Sequence, residues 1–154
     1  MTTTLTLAEL EQSGERDLGT SSWHTIDQDR INRFADATGD HQWIHIDPAA
    51  AAQGPFGTTI AHGYLMLSLL PALIGEIVSV SDAVMGVNYG TEKIRFTSPV
   101  RVGSRVRAHA RLQGAERRGQ GILYRIGVQI EIEGQEKPAL VGEVLFLAAG
   151  MPGG

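Results

Sequence analysis

The segment from about His62 to Val78 constrains the fold most. Its apolar residues lie on every side of a helical projection, so a helix here has to be surrounded by protein. The apolar stretch inside it, Tyr64 to Ile74, is broken by Ser68 and Pro71. That is too short for a bilayer, which takes about 20 apolar residues. Pro71 removes one amide and crowds the carbonyl of Leu67, so a kink is expected there.

The covering material is legible downstream. From Arg105 to Leu112 the chain alternates, with Val106, Ala108, Ala110 and Leu112 on one face and Arg105, Arg107, His109 and Arg111 on the other. From Ile122 to Glu133 it alternates again, with Ile122, Tyr124, Ile126, Val128, Ile130 and Ile132 together. The stretch 114–121 joins the two as an antiparallel hairpin. Leu140 to Ala148 reads as a more continuously apolar strand. Ala83–Tyr89 and Glu92–Thr97 read as strands separated by a bulge near Gly90.

Upstream, a helix is expected over Gln28–Ala37, with Thr25 and Gln28 as a capping box and Gly39 as the stop. Asp40–Asp47 is too short and mixed for a regular element. Asp47-Pro48 starts a short helix through the alanines that follow, and Gln53–Thr59 is a loop. Helices first, then antiparallel strands, with one apolar helix between, is α+β logic.

A chain of 154 residues fits one domain, 1–154, with a glycine-rich tail from Gly150 expected to fray. Thirteen Lys and Arg against seventeen Asp and Glu give −4, which argues against a nucleic-acid binder. With no cysteine there is no disulfide, Cys-based metal site or Cys nucleophile. The N-terminus lacks a basic segment followed by an apolar one, which argues against a secretory leader and for a cytoplasmic chain.

The chemistry concentrates between Thr38 and Gly63. Asp40, His41, His45 and Asp47 fall within eight residues of an irregular segment, where catalytic groups tend to sit. Ile60-Ala61-His62-Gly63 then opens the apolar helix. Phe34, Gly39-Asp40, Gln42-Trp43, His45 and Asp47-Pro48, followed by Gly54-Pro55-Phe56-Gly57 and Ala61-His62-Gly63, resemble the hydratase motif of the MaoC-like dehydratase family. These are the (R)-specific enoyl-CoA hydratases, and the likeness is nearest to the NodN-like single-domain branch. It covers nearly the whole chain, including Val100-Arg101-Val102-Gly103-Ser104. One position departs: Gln42-Trp43 stands where the family has Asn-Pro.

The resemblance implies a hot-dog fold, a curved antiparallel β-sheet wrapped around a long central α-helix. It implies reversible syn addition of water to trans-2-enoyl-CoA, giving (R)-3-hydroxyacyl-CoA. Asp40 and His45 would hold and activate the water, with Asp40 favoured as base and His45 as its partner. The backbone amide of Gly63, at a helix start, would stabilise the thioester oxyanion. The family needs no cofactor and pairs its domains, so an acyl-CoA substrate and a homodimer are expected.

Plainer explanations compete at each position. Asp40 alone could cap a turn, and His45 alone could be a satisfied core histidine. His41 reads as a loop residue, Trp43 as packing and Asp47 as the cap before Pro48. Gln42 is taken as an orienter of the water. His62 either lines the pocket beside Gly63 or caps the helix. Tyr64 and Asn88 are further pocket candidates. The Arg105–Arg111 stripe is expected to pair with Glu131 and its neighbours across the hairpin. Lys93 and Arg95 remain candidates for contact with CoA. Asp40, His41, His45 and His62 could ligate metal, but Gln42 stands where the helical zinc motif needs Glu, so no metal is expected. The rival functions are a hot-dog acyl-CoA thioesterase and a non-catalytic acyl-thioester-binding subunit.

Overall fold

A computed structural model describes residues 2–151; from residue 152 on, the tail expected to fray lies outside the described residues. The elements run β1 (Thr3–Leu5), α1 (Leu7–Gln12), β2 (Arg16–Thr20), β3 (His24–Thr25), α2 (Gln28–Thr38), α3 (Trp43–Ile46), α4 (Pro48–Ala52), α5 (Gly63–Ile77), β4 (Val78–Val80), β5 (Met85–Phe96), β6 (Arg105–Arg118), β7 (Gly121–Ile132) and β8 (Leu140–Ala149). The strands β2-β6-β7-β8-β5 form an antiparallel sheet in that order, with β3 also on β6. β1 and β4 make a separate parallel pair.

The sheet wraps α5. On α5, Leu65, Met66, Leu70, Leu73, Ile74 and Ile77 are buried. Facing them in one cluster are Val106, Ala108, Ala110, Leu112, Ile126, Val128 and Ile130, the residues whose alternation marked the inner face. Burying each large side chain contributes about 1.5–3 kcal/mol. On the opposite face Arg105 pairs with Glu133 and Arg107 with Glu131 across the β6–β7 ladder. His109 and Arg111 turn instead to Asp17 and Glu15 on the β2 side.

Several local expectations need correction. The N-cap of α2 is Asp27, whose carboxylate accepts from the Arg30 amide, not Thr25; a carboxylate at that position places its charge nearer the positive end of the helix. Gly39 does end the helix, at φ 84°. The 40–47 segment contains the single turn α3, closed by tertiary contacts rather than periodicity. The hairpin strands run on to Arg118 and resume at Gly121, absorbing an irregularity between Leu112 and Gly114, so its loop is far shorter than 114–121. The two expected strands around Gly90 are one strand, β5, with a bulge at Asn88–Gly90 and another at Glu92–Arg95. α5 passes through Pro71 without interruption.

The largest correction concerns α5 itself. Tyr64, Ser68, Pro71, Ala72 and Gly75 form an exposed stripe along one side. β5, at the sheet edge, is exposed at every residue except the half-buried Ile94. Hydropathy says a surface wants covering; it does not say that the same chain supplies the cover.

The far end of α5 is tied down by Glu76. One carboxylate oxygen accepts from both the amide and the hydroxyl of Ser22, at 2.9 and 2.7 Å, and the other meets His24 Nε2 at 2.6 Å. The Ser22 bonds hold the Glu76 pKa below its ordinary 4.5. A depressed carboxylate stabilises the fold above its unfolded pKa, and that support is lost as pH falls through the folded value. Glu76→Gln is therefore expected to flatten the fall of melting temperature below about pH 4.5, as read by thermal unfolding across pH.

Candidate active site

His45 is positioned by α2 and by the segment at Thr59 and Ile60. The Gln28 side chain on α2 donates to the His45 carbonyl at 2.8 Å and accepts from the Thr59 hydroxyl at 2.6 Å. The Ile60 amide donates to the Ile44 carbonyl at 3.0 Å. The Ile60 carbonyl lies 2.7 Å from His45 Nδ1. A carbonyl can only accept, so Nδ1 carries the proton and Nε2 keeps its lone pair. Burial pushes the His45 pKa below 6.5; the Ile60 bond opposes this, the charge of His62 adds to it and Asp40 again opposes it.

Asp40 follows the left-handed Gly39 and is exposed. Its Oδ1 accepts from the Gln42 amide at 3.4 Å, and its own amide is 3.3 Å from the Thr38 hydroxyl. His62 is 2 % exposed and lies between the rings of Phe34, at 4.9 Å, and His45, at 3.8 Å and 22°. Its Nε2 is 3.0 Å from the Asp40 carbonyl and so donates to it. Its Nδ1 is buried and has no partner. Leaving such an acceptor unsatisfied costs roughly 1–3 kcal/mol.

Asp40, His45 and His62 each bring a donor atom within 4.8 Å of the others. The arrangement suits a metal poorly. Imidazole lone pairs lie in the ring plane, and two rings stacked at 22° send theirs side by side instead of to one point. A carboxylate beside an unprotonated imidazole nitrogen can instead hold a water and take its proton.

His45 and Gly63 line a cavity of about 290 Å³ with Phe56, Met66, Phe96 and Val100. Gly63 is the first residue of α5, where amides lack intrahelical partners. A Cβ at Gly63 would stand 2.9 Å from the Phe96 ring, so glycine is what lets that ring lie on the backbone.

The other sequence candidates sit apart. Gln42 is the exposed N-cap of α3 and makes no side-chain capping bond. Tyr64 is 66 % exposed, edge-on to Phe96. Asn88 borders a different cavity, of about 300 Å³, beside Leu67, Leu70 and Phe146. His41 bonds Asp36 in the loop, Asp47 caps α4 through the Ala50 amide, and Trp43 packs over Gly54. Lys93 and Arg95 have no ion-pair partner among the described residues, and the Arg95 guanidinium turns back onto the Ile94 carbonyl. Sequence reasoning missed Gln28, Ile60 and Phe96. Only Gln28 left a signal, its place at the start of α2, and that was read as capping.

Residues 9–133 match the model of the MaoC like domain. The chain is 49% identical over 144 residues to a protein of Mycobacterium tuberculosis named 3-hydroxyacyl-thioester dehydratase Z, covering 93% of this chain and 95% of that one. It is 44% identical to Nodulation protein N of Rhizobium meliloti, over 94% of this chain and 91% of that one. Among solved structures it resembles the R-hydratase PhaJ1 of Pseudomonas aeruginosa, with a TM-score of 0.72 at 24% identity over 96% of this chain and 87% of that one. That likeness supports the hot-dog fold.

Proposed function

Since this chain belongs to the MaoC-like dehydratase family and is thereby a hydro-lyase, we propose that it is an (R)-specific enoyl-CoA hydratase acting through Asp40, His45 and Gly63. The observation that carries the reading is the Ile60 carbonyl on His45 Nδ1, which leaves Nε2 unprotonated, with His45 lining one cavity together with Gly63, the first residue of α5.

A trans-2-enoyl thioester lies with its carbonyl oxygen at the Gly63 amide, where enolate charge develops. One water sits between the Asp40 carboxylate and His45 Nε2. His45 takes a proton from it as the oxygen attacks C3, and Asp40 holds the other hydrogen and steadies the imidazolium. The imidazolium returns its proton to C2 on the same face, so addition is syn and no atom is gained or lost beyond the water. The Nδ1–H tautomer supports His45 as the first proton acceptor in this reading, where the sequence favoured Asp40.

The test is an absorbance assay with crotonyl-CoA and a longer trans-2-enoyl-CoA, with a thiol reagent in parallel. Loss of the conjugated double bond without thiol release is the expected result. Thiol release with the double bond intact would move the chain to the thioesterases. Silence in both channels would favour a binding subunit.

We also propose that a second copy covers the exposed stripe of α5 and the β5 edge, where Met85, Val87, Tyr89 and Phe96 are exposed together. An unpaired edge strand with that apolar content invites pairing. Sedimentation is expected to give twice the 16.5 kDa of one chain, and a monomer at micromolar concentration would count against it. No helix among the described residues is long and apolar enough to cross a membrane.

A further inference from the structure

We propose that His62 is a positioning residue that sets Asp40 and His45 in register with the Gly63 amide, through its Nε2–H on the Asp40 carbonyl and its ring against His45. The inference rests on the hydratase reading for its consequence, while its geometric basis is independent of it.

Neither packing nor capping explains a histidine here. A residue kept for packing would be apolar and would leave no orphan, yet Nδ1 is buried without a partner. As the N-cap of α5, His62 makes no side-chain bond to the first turn. The one hydrogen bond of its side chain goes to Asp40, twenty-two residues earlier. That bond is the shortest one holding the Asp40 peptide, since the contacts at the Asp40 amide and carboxylate are 3.3 and 3.4 Å. An exposed loop residue is thus fixed by a buried side chain directly preceding Gly63.

The ring does a second task. Sandwiched between Phe34 and His45, it keeps the His45 imidazole from turning away from the cavity. The same position therefore joins the three working groups of the site without touching substrate.

Two variants separate the tasks. His62→Phe keeps a flat ring and loses the donor. His62→Gln keeps an amide donor at a similar reach and loses the ring. With crotonyl-CoA, His62→Phe is expected to lower kcat roughly 10- to 100-fold with KM within about two-fold, the scale of a misplaced catalytic group. Its melting temperature is expected to hold or rise, because the orphan is gone. His62→Gln is expected to recover at least part of that kcat. Adding Asp40→Asn to His62→Phe is expected to cost far less than Asp40→Asn costs the wild type. Independent, multiplying losses, or a raised KM with kcat unchanged, would overturn the proposal. So would a His62→Phe protein that melts early and regains activity on cooling.

A readout without turnover keeps the two proposals distinct. In ¹⁵N-histidine spectra His62 is expected as the Nε2–H tautomer, and His62→Phe is expected to shift the amides of Asp40–Gln42. If the wild type hydrates no enoyl thioester but those shifts appear, the hydratase reading fails and the positioning stands. If the shifts are absent, the positioning fails whatever the activity.

Discussion

Replacing His45 with glutamine is expected to lower kcat for crotonyl-CoA hydration by about 10²–10⁴, the usual worth of a general base, with little change in KM. Glutamine can still donate to the Ile60 carbonyl and fill the space, but its amide has no basic nitrogen to offer the water. The pH profile follows from the same environment. Burial holds the imidazole neutral below its ordinary 6.5, so the rate should persist as pH falls through 6.5 and decline only at the lower folded value. Stability moves in the same direction. Unfolded His45 takes its proton near 6.5 while the folded one resists, so the contribution is complete above 6.5 and is lost on acidification to the folded value. An acid limb above 6.5 would count against His45 as the acceptor.

Gly63→Ala is expected to be the second severe change. The added Cβ would lie 2.9 Å from two carbons of the Phe96 ring, closer than real Cβ contacts come. Either Phe96 moves or the first turn of α5 does. Overpacking of this kind costs typically 1–3 kcal/mol. Displacing the oxyanion donor costs about 10²-fold in kcat, by analogy with removal of one such donor. Adding Phe96→Ala removes the ring carbons that the new Cβ meets, so the double variant should melt above Gly63→Ala alone. Thermal unfolding and steady-state kinetics on the three proteins separate the two costs. A stable Gly63→Ala protein with full kcat would remove the amide from the mechanism.

The inner faces of β6 and β7 were legible because burial on one side of a pleat imposes a period of two, and Val106 through Leu112 keep it without a break. α5 was legible for its apolar content and misleading for its surroundings, since Tyr64, Ser68 and Pro71 face outward from the single chain. α3 left no trace in four residues. It exists because Gln28 and Ile60 grip its backbone, and such partners are 16 or more positions away. The residues of the candidate site were visible as a dense motif. Their protonation states were not, because the His45 tautomer is set by a backbone carbonyl, which carries no residue identity. The N-terminal helix α1 was overlooked although Thr6 and Glu9 spell its capping box.

The order of elements bears on how such a chain is made. α5 is complete at Ile77, but β5 to β8, which with β2 form the sheet around it, run from Met85 to Ala149. At about 5–20 residues per second, several seconds pass on the ribosome with a fifteen-residue apolar helix and no sheet to hold it. β1 must wait for β4, which follows α5. The β6–β7 hairpin is local, but the contacts that seat α5 on the sheet join distant parts of the chain and form only after those strands are made. The central helix of the finished fold is, during synthesis, an apolar segment waiting for its cover.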